Sequence, residues 1–81
     1  MALSKEEKNY IKSLGSRIVS LREQKGLKQK QLSDLLDMDD GSLRRIESGR
    51  TNPTTTTLLL IANALEVSMS ELFDFENTCS S

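Results

Sequence analysis

The densest chemistry in the chain lies in the run DDGSLRRIESG, residues 39–49. Two adjacent guanidiniums, Arg44 and Arg45, follow two carboxylates, Asp39 and Asp40, by about one helical turn. Each guanidinium is a planar fork of donors that keeps its charge, and such forks suit paired acceptors such as phosphate oxygens or the edge of a guanine. The carboxylates pose the opposite problem, because negative charge at the tip of such an element repels phosphate. Few other chemistries are on offer. The chain has no histidine and one cysteine, Cys79, in a Ser-rich end. Most metal sites, His-dependent nucleophilic catalysis and an intrachain disulfide framework are thereby excluded. With no glycine-rich phosphate loop and no carboxylate pair in a plausible cleft, an enzyme is the weakest reading and no cofactor is expected.

Around that run, 81 residues allow one domain with one small core. Hydrophobic residues make up 36% and aromatics 4%, so the core must be aliphatic. No apolar run approaches the roughly 18 residues of a membrane span. The start, MALSKEEKNY, has no signal-peptide stretch, which predicts a chain that stays in the cytosol. The net charge of −1 hides a division. All eleven Lys and Arg lie within residues 1–50, against eight acids, while residues 54–81 hold four acids and no base. Such a division can put a positive face on a nearly neutral protein, although an acidic end can also serve solubility alone.

Periodicity supplies the elements that would position these charges. Ser4 and Glu7 form a capping box, and Tyr10, Ile11, Leu14, Ile18 and Leu21 then recur at helical spacing up to a stop at Gly26. Residues 4–9 carry little apolar content, so the spacing leaves the first turn undefined. A second helix runs from Lys28 to about Asp37, with Leu32, Leu35 and Leu36 expected inside. Asp39 offers an N-cap for a third, with Leu43 and Ile46 inward and Gly49 as the stop. Two short helices joined by about three residues are the layout of a helix-turn-helix. Asn52-Pro53 forces an extended step. Thr54 then caps a fourth helix with Leu58, Ile61, Ala62 and Leu65 inward, and Ser68 and Glu71 box a short fifth. The expected fold is all-α: five helices forming a single domain over residues 1–75, followed by a disordered tail at 76–81.

These residues resemble the lambda-repressor-like, Cro/repressor-type helix-turn-helix domains of bacteria and their phages. The resemblance is carried in order by GLKQKQLSDLL (26–36), SLRRIESGRTNP (42–53) and LLLIANALEVSMSELF (58–73). The sequence departs from the family pattern at Lys28, where Thr is frequent, at Ser33, where Ala is frequent, and at Thr55, where an apolar residue is common. Asp37 replaces a frequent Gly at the turn and should adopt a left-handed conformation that Asp tolerates better than most.

The resemblance implies a DNA-binding role for the third helix and assigns residues to it. Asp39 would cap the helix, its carboxylate turned back onto the first amides. Asp40 and Gly41 would stand at the first-turn positions that enter the major groove, Asp40 accepting from a cytosine amino group and Gly41 allowing close approach. The alternative for Asp40 is further compensation of the helix dipole. Arg45 would read guanine. Lys28, Gln29, Ser42, Arg44, Arg50, Thr51 and Asn52 would hold the phosphate backbone, with Gln29 helped by free amides at its helix start. Arg22 late in the first helix would pair with Glu47, tying the third helix to the scaffold; the alternative is two unrelated surface charges.

Leu60 falls off the inner stripe of the fourth helix and would centre an exposed patch with Val67 or Met69, as a homodimer interface. The alternative is a stray surface leucine. A two-fold dimer would place two recognition helices about 34–36 Å apart on a pseudo-palindromic operator. The function expected is sequence-specific transcriptional regulation without a small-molecule ligand, in a setting such as a phage repressor, an antitoxin or a restriction-modification controller. The rival is a protein-interaction module that binds a partner protein through the helix 4/5 surface.

Overall fold

The computed structural model describes residues 4–75, so the expected tail at 76–81, with Cys79, lies outside the described residues. Five helices follow in order: α1 (Lys5–Gln24), α2 (Gln29–Leu36), α3 (Asp40–Glu47), α4 (Thr55–Leu65) and α5 (Met69–Leu72). No strand occurs among the described residues.

The ends of the helices follow local chemistry. Ser4 and Glu7 bond each other's backbone amides, which starts α1 a full turn before its apolar stripe begins. Ser68 and Glu71 repeat the device at α5, and Thr54 accepts from the Thr57 amide at the start of α4. At α2 the side-chain carbonyl of Gln31 accepts from the Lys28 amide at 2.7 Å. Gly26 and Gly49 take left-handed conformations, φ +72° and +78°, where the chain leaves α1 and α3. Asp37 has φ 55°, as its place at the turn between α2 and α3 predicts. Glu66 has φ 60° at the end of α4, a left-handed stop with no glycine to announce it.

The core is aliphatic. Leu14, Ile18, Leu21, Leu32, Leu36, Leu43, Ile46, Leu58, Ile61, Ala62, Leu65 and Leu72 are buried together, with every helix contributing. α1 packs on α3, α4 and α5, and α2 packs on α3 and α4. Tyr10, on the predicted stripe, is 40% exposed; its ring lies against Phe75 at 5.2 Å and Phe73 at 6.4 Å. Arg17 donates from Nε and Nη2 to the Glu71 carbonyl, fastening α5 to α1.

One expectation about α2 is corrected. Leu35 is not inside but 61% exposed, whereas Ser33 is fully buried. At about 100° per residue, a face centred on Leu32, Ser33 and Leu36 leaves Leu35 to the side. Leu32 and Leu36 define the inward face, and the Ser33 hydroxyl buried with them has acceptors in the Lys30 carbonyl of its own helix, at 2.8 Å, and in Asp40 of α3. A hydrogen-bonded Ser is tolerated inside.

Candidate nucleic-acid interface

α3 is eight residues long and holds its place through its inner face. Leu43 and Ile46 enter the core, and Glu47 is also buried, at 8% exposure. A carboxylate in that position must be met by donors. Arg22 from α1 supplies Nε to Oε2 at 2.8 Å and Nη2 to Oε1 at 3.4 Å. Gln29 from α2 donates its amide Nε2 to Oε1 at 2.8 Å. The remaining guanidinium nitrogen of Arg22 donates to the Leu27 carbonyl at 2.9 Å, in the α1–α2 connection. Three helices therefore converge on one carboxylate at the foot of α3. Gln29 accordingly has one of its amide donors committed inside the domain, a bond that the sequence reading did not foresee. From the resemblance, this side chain is expected at a phosphate.

Backbone contact reinforces the anchor. A Cβ built on Gly15 of α1 would lie 2.6 Å from the carbonyl oxygens of Ile46 and Glu47. One built on Gly49 would lie 2.7 Å from Lys12 Cα. α1 thus presses on the last turn of α3 at two points where any side chain would intrude.

The start of α3 differs from the expectation. Asp39 occupies the N-cap with extended backbone, yet its side chain makes no capping bond. Asp40, the first residue of the helix, accepts through Oδ1 from the hydroxyl of buried Ser33. The carboxylate turned back into the protein is therefore that of Asp40 rather than Asp39. A buried hydroxyl one helix away is a better-placed donor than the amides of its own helix. Oδ2 of Asp40 has no hydrogen bond recorded among the described residues, and the residue as a whole is exposed. Ser33 was noted in the sequence only as a departure from the usual Ala; a polar residue on a buried stripe is the signal that could have revealed the bond.

On the outer side, Arg44 and Arg45 are exposed and make no ion pair among the described residues, whereas Ser42 and Gly41 are half-buried beside them. A Cβ on Gly41 would meet nothing within 4 Å, so open space lies in front of the first turn. Ser42 and Arg45 share a groove of about 260 Å³ with Thr51 and Asn52, which follow α3. Lys28 and Arg50 are both exposed. Of the three residues assigned to a dimer contact, Leu60 is 47% exposed, and Val67 and Met69 are half-buried against the core. Leu59, left unplaced by the sequence, stands beside Leu60 at 48% exposure.

A five-helix all-α domain whose second and third helices meet across a tight turn, with the third anchored from beneath and cationic outside, is a DNA-binding helix-turn-helix domain of lambda-repressor type. The helix-turn-helix family matches residues 18–72, and the chain belongs to that family of transcriptional regulators. It is 41% identical over 61 residues to an uncharacterised HTH-type transcriptional regulator of Sinorhizobium fredii, covering 75% of this chain and 79% of that protein. Among solved structures it is similar to the restriction-modification controller protein C.AhdI of Aeromonas hydrophila. That match has a TM-score of 0.73 and 33% identity over 79% of this chain and 96% of the other. It is also similar to the clp gene regulator ClgR of Corynebacterium glutamicum, with a TM-score of 0.77 and 25% identity over 79% and 82% of the two chains. Among the described residues no helix is long and apolar enough to cross a membrane.

Proposed function

We propose that the protein binds a specific pseudo-palindromic operator as a homodimer, with α3 of each protomer lying in the major groove. The observation that carries this reading is the two-sidedness of α3. Its inner face is buried and held by Arg22 and Gln29 through Glu47, and its outer face bares Arg45 beside the open first turn at Gly41. A reader of base edges needs that combination, because discrimination requires side chains held in place before contact.

In this reading Arg45 donates both arms of its fork to guanine O6 and N7. Asp40, with Oδ1 occupied by Ser33, uses Oδ2 to accept from a cytosine amino group. The opening conflict of charge is thereby reduced: one oxygen of the acidic tip is satisfied internally, and the other repels phosphate at wrong sites while Arg44 and Arg45 attract it at all sites. Ser42, Arg44, Arg50, Thr51 and Asn52 hold the strand beyond α3. Lys28 and the second amide hydrogen of Gln29 hold it at the start of α2.

Leu60 and Leu59 together give α4 an apolar outer surface that supports the dimer. A setting like that of the restriction-modification controllers fits a chain whose activity follows its own concentration through dimerisation, with no small-molecule ligand. Selection of bound duplexes from a random pool tests the whole reading. Enrichment of two inverted half-sites about 10 base pairs apart is expected. Enrichment of no sequence at all would leave the protein-interaction reading in its place.

A further inference from the structure

Three lysines of α1, Lys5, Lys8 and Lys12, remain outside the site described above and precede the family match, which begins at residue 18. Their spacing of three and four residues puts them on one face of α1. That face meets the connection after α3, and the two enclose a cleft of about 390 Å³. Lys5, Lys8, Lys12 and Arg50 line the cleft with Asn52, and no carboxylate does. None of the four cations makes an ion pair or a side-chain hydrogen bond among the described residues. Of the two acids between Lys5 and Lys8, Glu7 accepts from the Ser4 amide at 2.8 Å and Glu6 is exposed, and neither lines the cleft.

Four like charges brought together without a counter-charge repel one another, and nothing in the core requires them there. Their position is fixed, because Lys12 lies against Gly49 at the end of α3 with no room for a side chain between. The cleft therefore keeps a set relation to the recognition helix. Its floor includes Arg50, Thr51 and Asn52, the same segment that the proposed function places along the phosphate backbone.

We propose that this cleft is a second binding site for the DNA backbone, one that grips phosphates flanking the bases read by α3. The inference rests on the DNA-binding reading and extends its footprint. Lys5 to Lys12 span about 10 Å of helix axis, a length of about three base-pair steps. A series of phosphates on one strand satisfies cations arranged in a row, and a single free anion does not.

The test is a salt titration of binding to the selected operator, with flanking base pairs present or trimmed, by the full chain and by the Lys5→Gln/Lys8→Gln/Lys12→Gln variant. Glutamine keeps helix propensity, and circular dichroism checks that the variant is folded. On flanked duplex the variant should show a salt slope smaller by about 0.9 for each lysine lost, with affinity lowered equally for right and wrong sequences. Trimming the flanks should weaken the unaltered protein and leave the variant indifferent. An unchanged slope and affinity in the variant would overturn the second site while leaving α3 as the reader. Salt-independent binding by the unaltered protein would overturn both.

Discussion

Glu47 is the residue on which most of the arrangement turns. Its carboxylate is nearly buried, receives Arg22 and Gln29, and has no water-facing alternative. Removing it strands a guanidinium whose side chain is 12% exposed. Glu47→Ala should therefore cost roughly 3–5 kcal/mol, a large share of the stability of so small a domain. Urea denaturation followed by circular dichroism measures it, and a loss below about 1 kcal/mol would show that the pair is merely peripheral. Asp40 behaves differently, because it is exposed and Ser33 has a second acceptor in the Lys30 carbonyl at 2.8 Å. Ser33→Ala removes both the hydroxyl and its demand for a partner, so its stability effect should stay within about 1 kcal/mol. The same change frees Asp40 Oδ1, and discrimination at the base pair facing Asp40 should weaken. Competition binding with operator variants reads that outcome; unchanged discrimination means that the serine does not position Asp40 for reading.

At the level of elements, two glycines make opposite predictions. Gly15 lets α1 sit against the carbonyls of Ile46 and Glu47, so Gly15→Ala forces the helices apart and should cost about 1–3 kcal/mol or more. Gly41 has open space before it and lies in the first turn of α3. Gly41→Ala should stabilise the domain by about 0.4–1 kcal/mol while weakening operator binding, since the added methyl meets the groove. Thermal unfolding and binding titrations on the two variants separate these effects; a Gly41→Ala protein that binds as tightly as the original would remove Gly41 from the contact surface. The same elements show what the sequence made legible. Apolar spacing, the Ser-x-x-Glu boxes and the glycine stops locate five helices, because each is a local signal acting within one or two turns. The rotation of α2 escaped, since Ser33 rather than Leu35 is buried and its hydroxyl is met by the Lys30 carbonyl and by Asp40 of another helix. The left-handed stop at Glu66 escaped for a similar reason: its residue type gives no hint. Gln29 and the cleft beneath Lys5, Lys8 and Lys12 depend on contacts between distant segments, which spacing alone does not reveal.

For the whole molecule, the division of charge seen in the sequence takes spatial form. The cations lie on α1 to α3 and the segments that join and follow them, while α4 bears no charge and exposes Leu59 and Leu60, and Glu66, Glu71 and Asp74 come after it. A dimer through α4 would bury the apolar surface and leave the cationic surfaces for DNA. Sedimentation equilibrium of the 9.1 kDa chain should show mass rising toward twice the monomer value with concentration, and Leu60→Lys should abolish the rise without unfolding the protein. A monomer persisting at high micromolar concentration would place the dimer contact elsewhere or show that it forms only on DNA.

In the proposed complex α3 reads bases through Arg45. Binding of the unaltered protein and of Arg45→Ala to the selected operator and to each single base-pair variant tests it most directly. Arg45→Ala should lose about 1–3 kcal/mol of discrimination at one guanine in each half-site and keep its preferences elsewhere. An Arg45→Ala protein with the original preference at every position would contradict it.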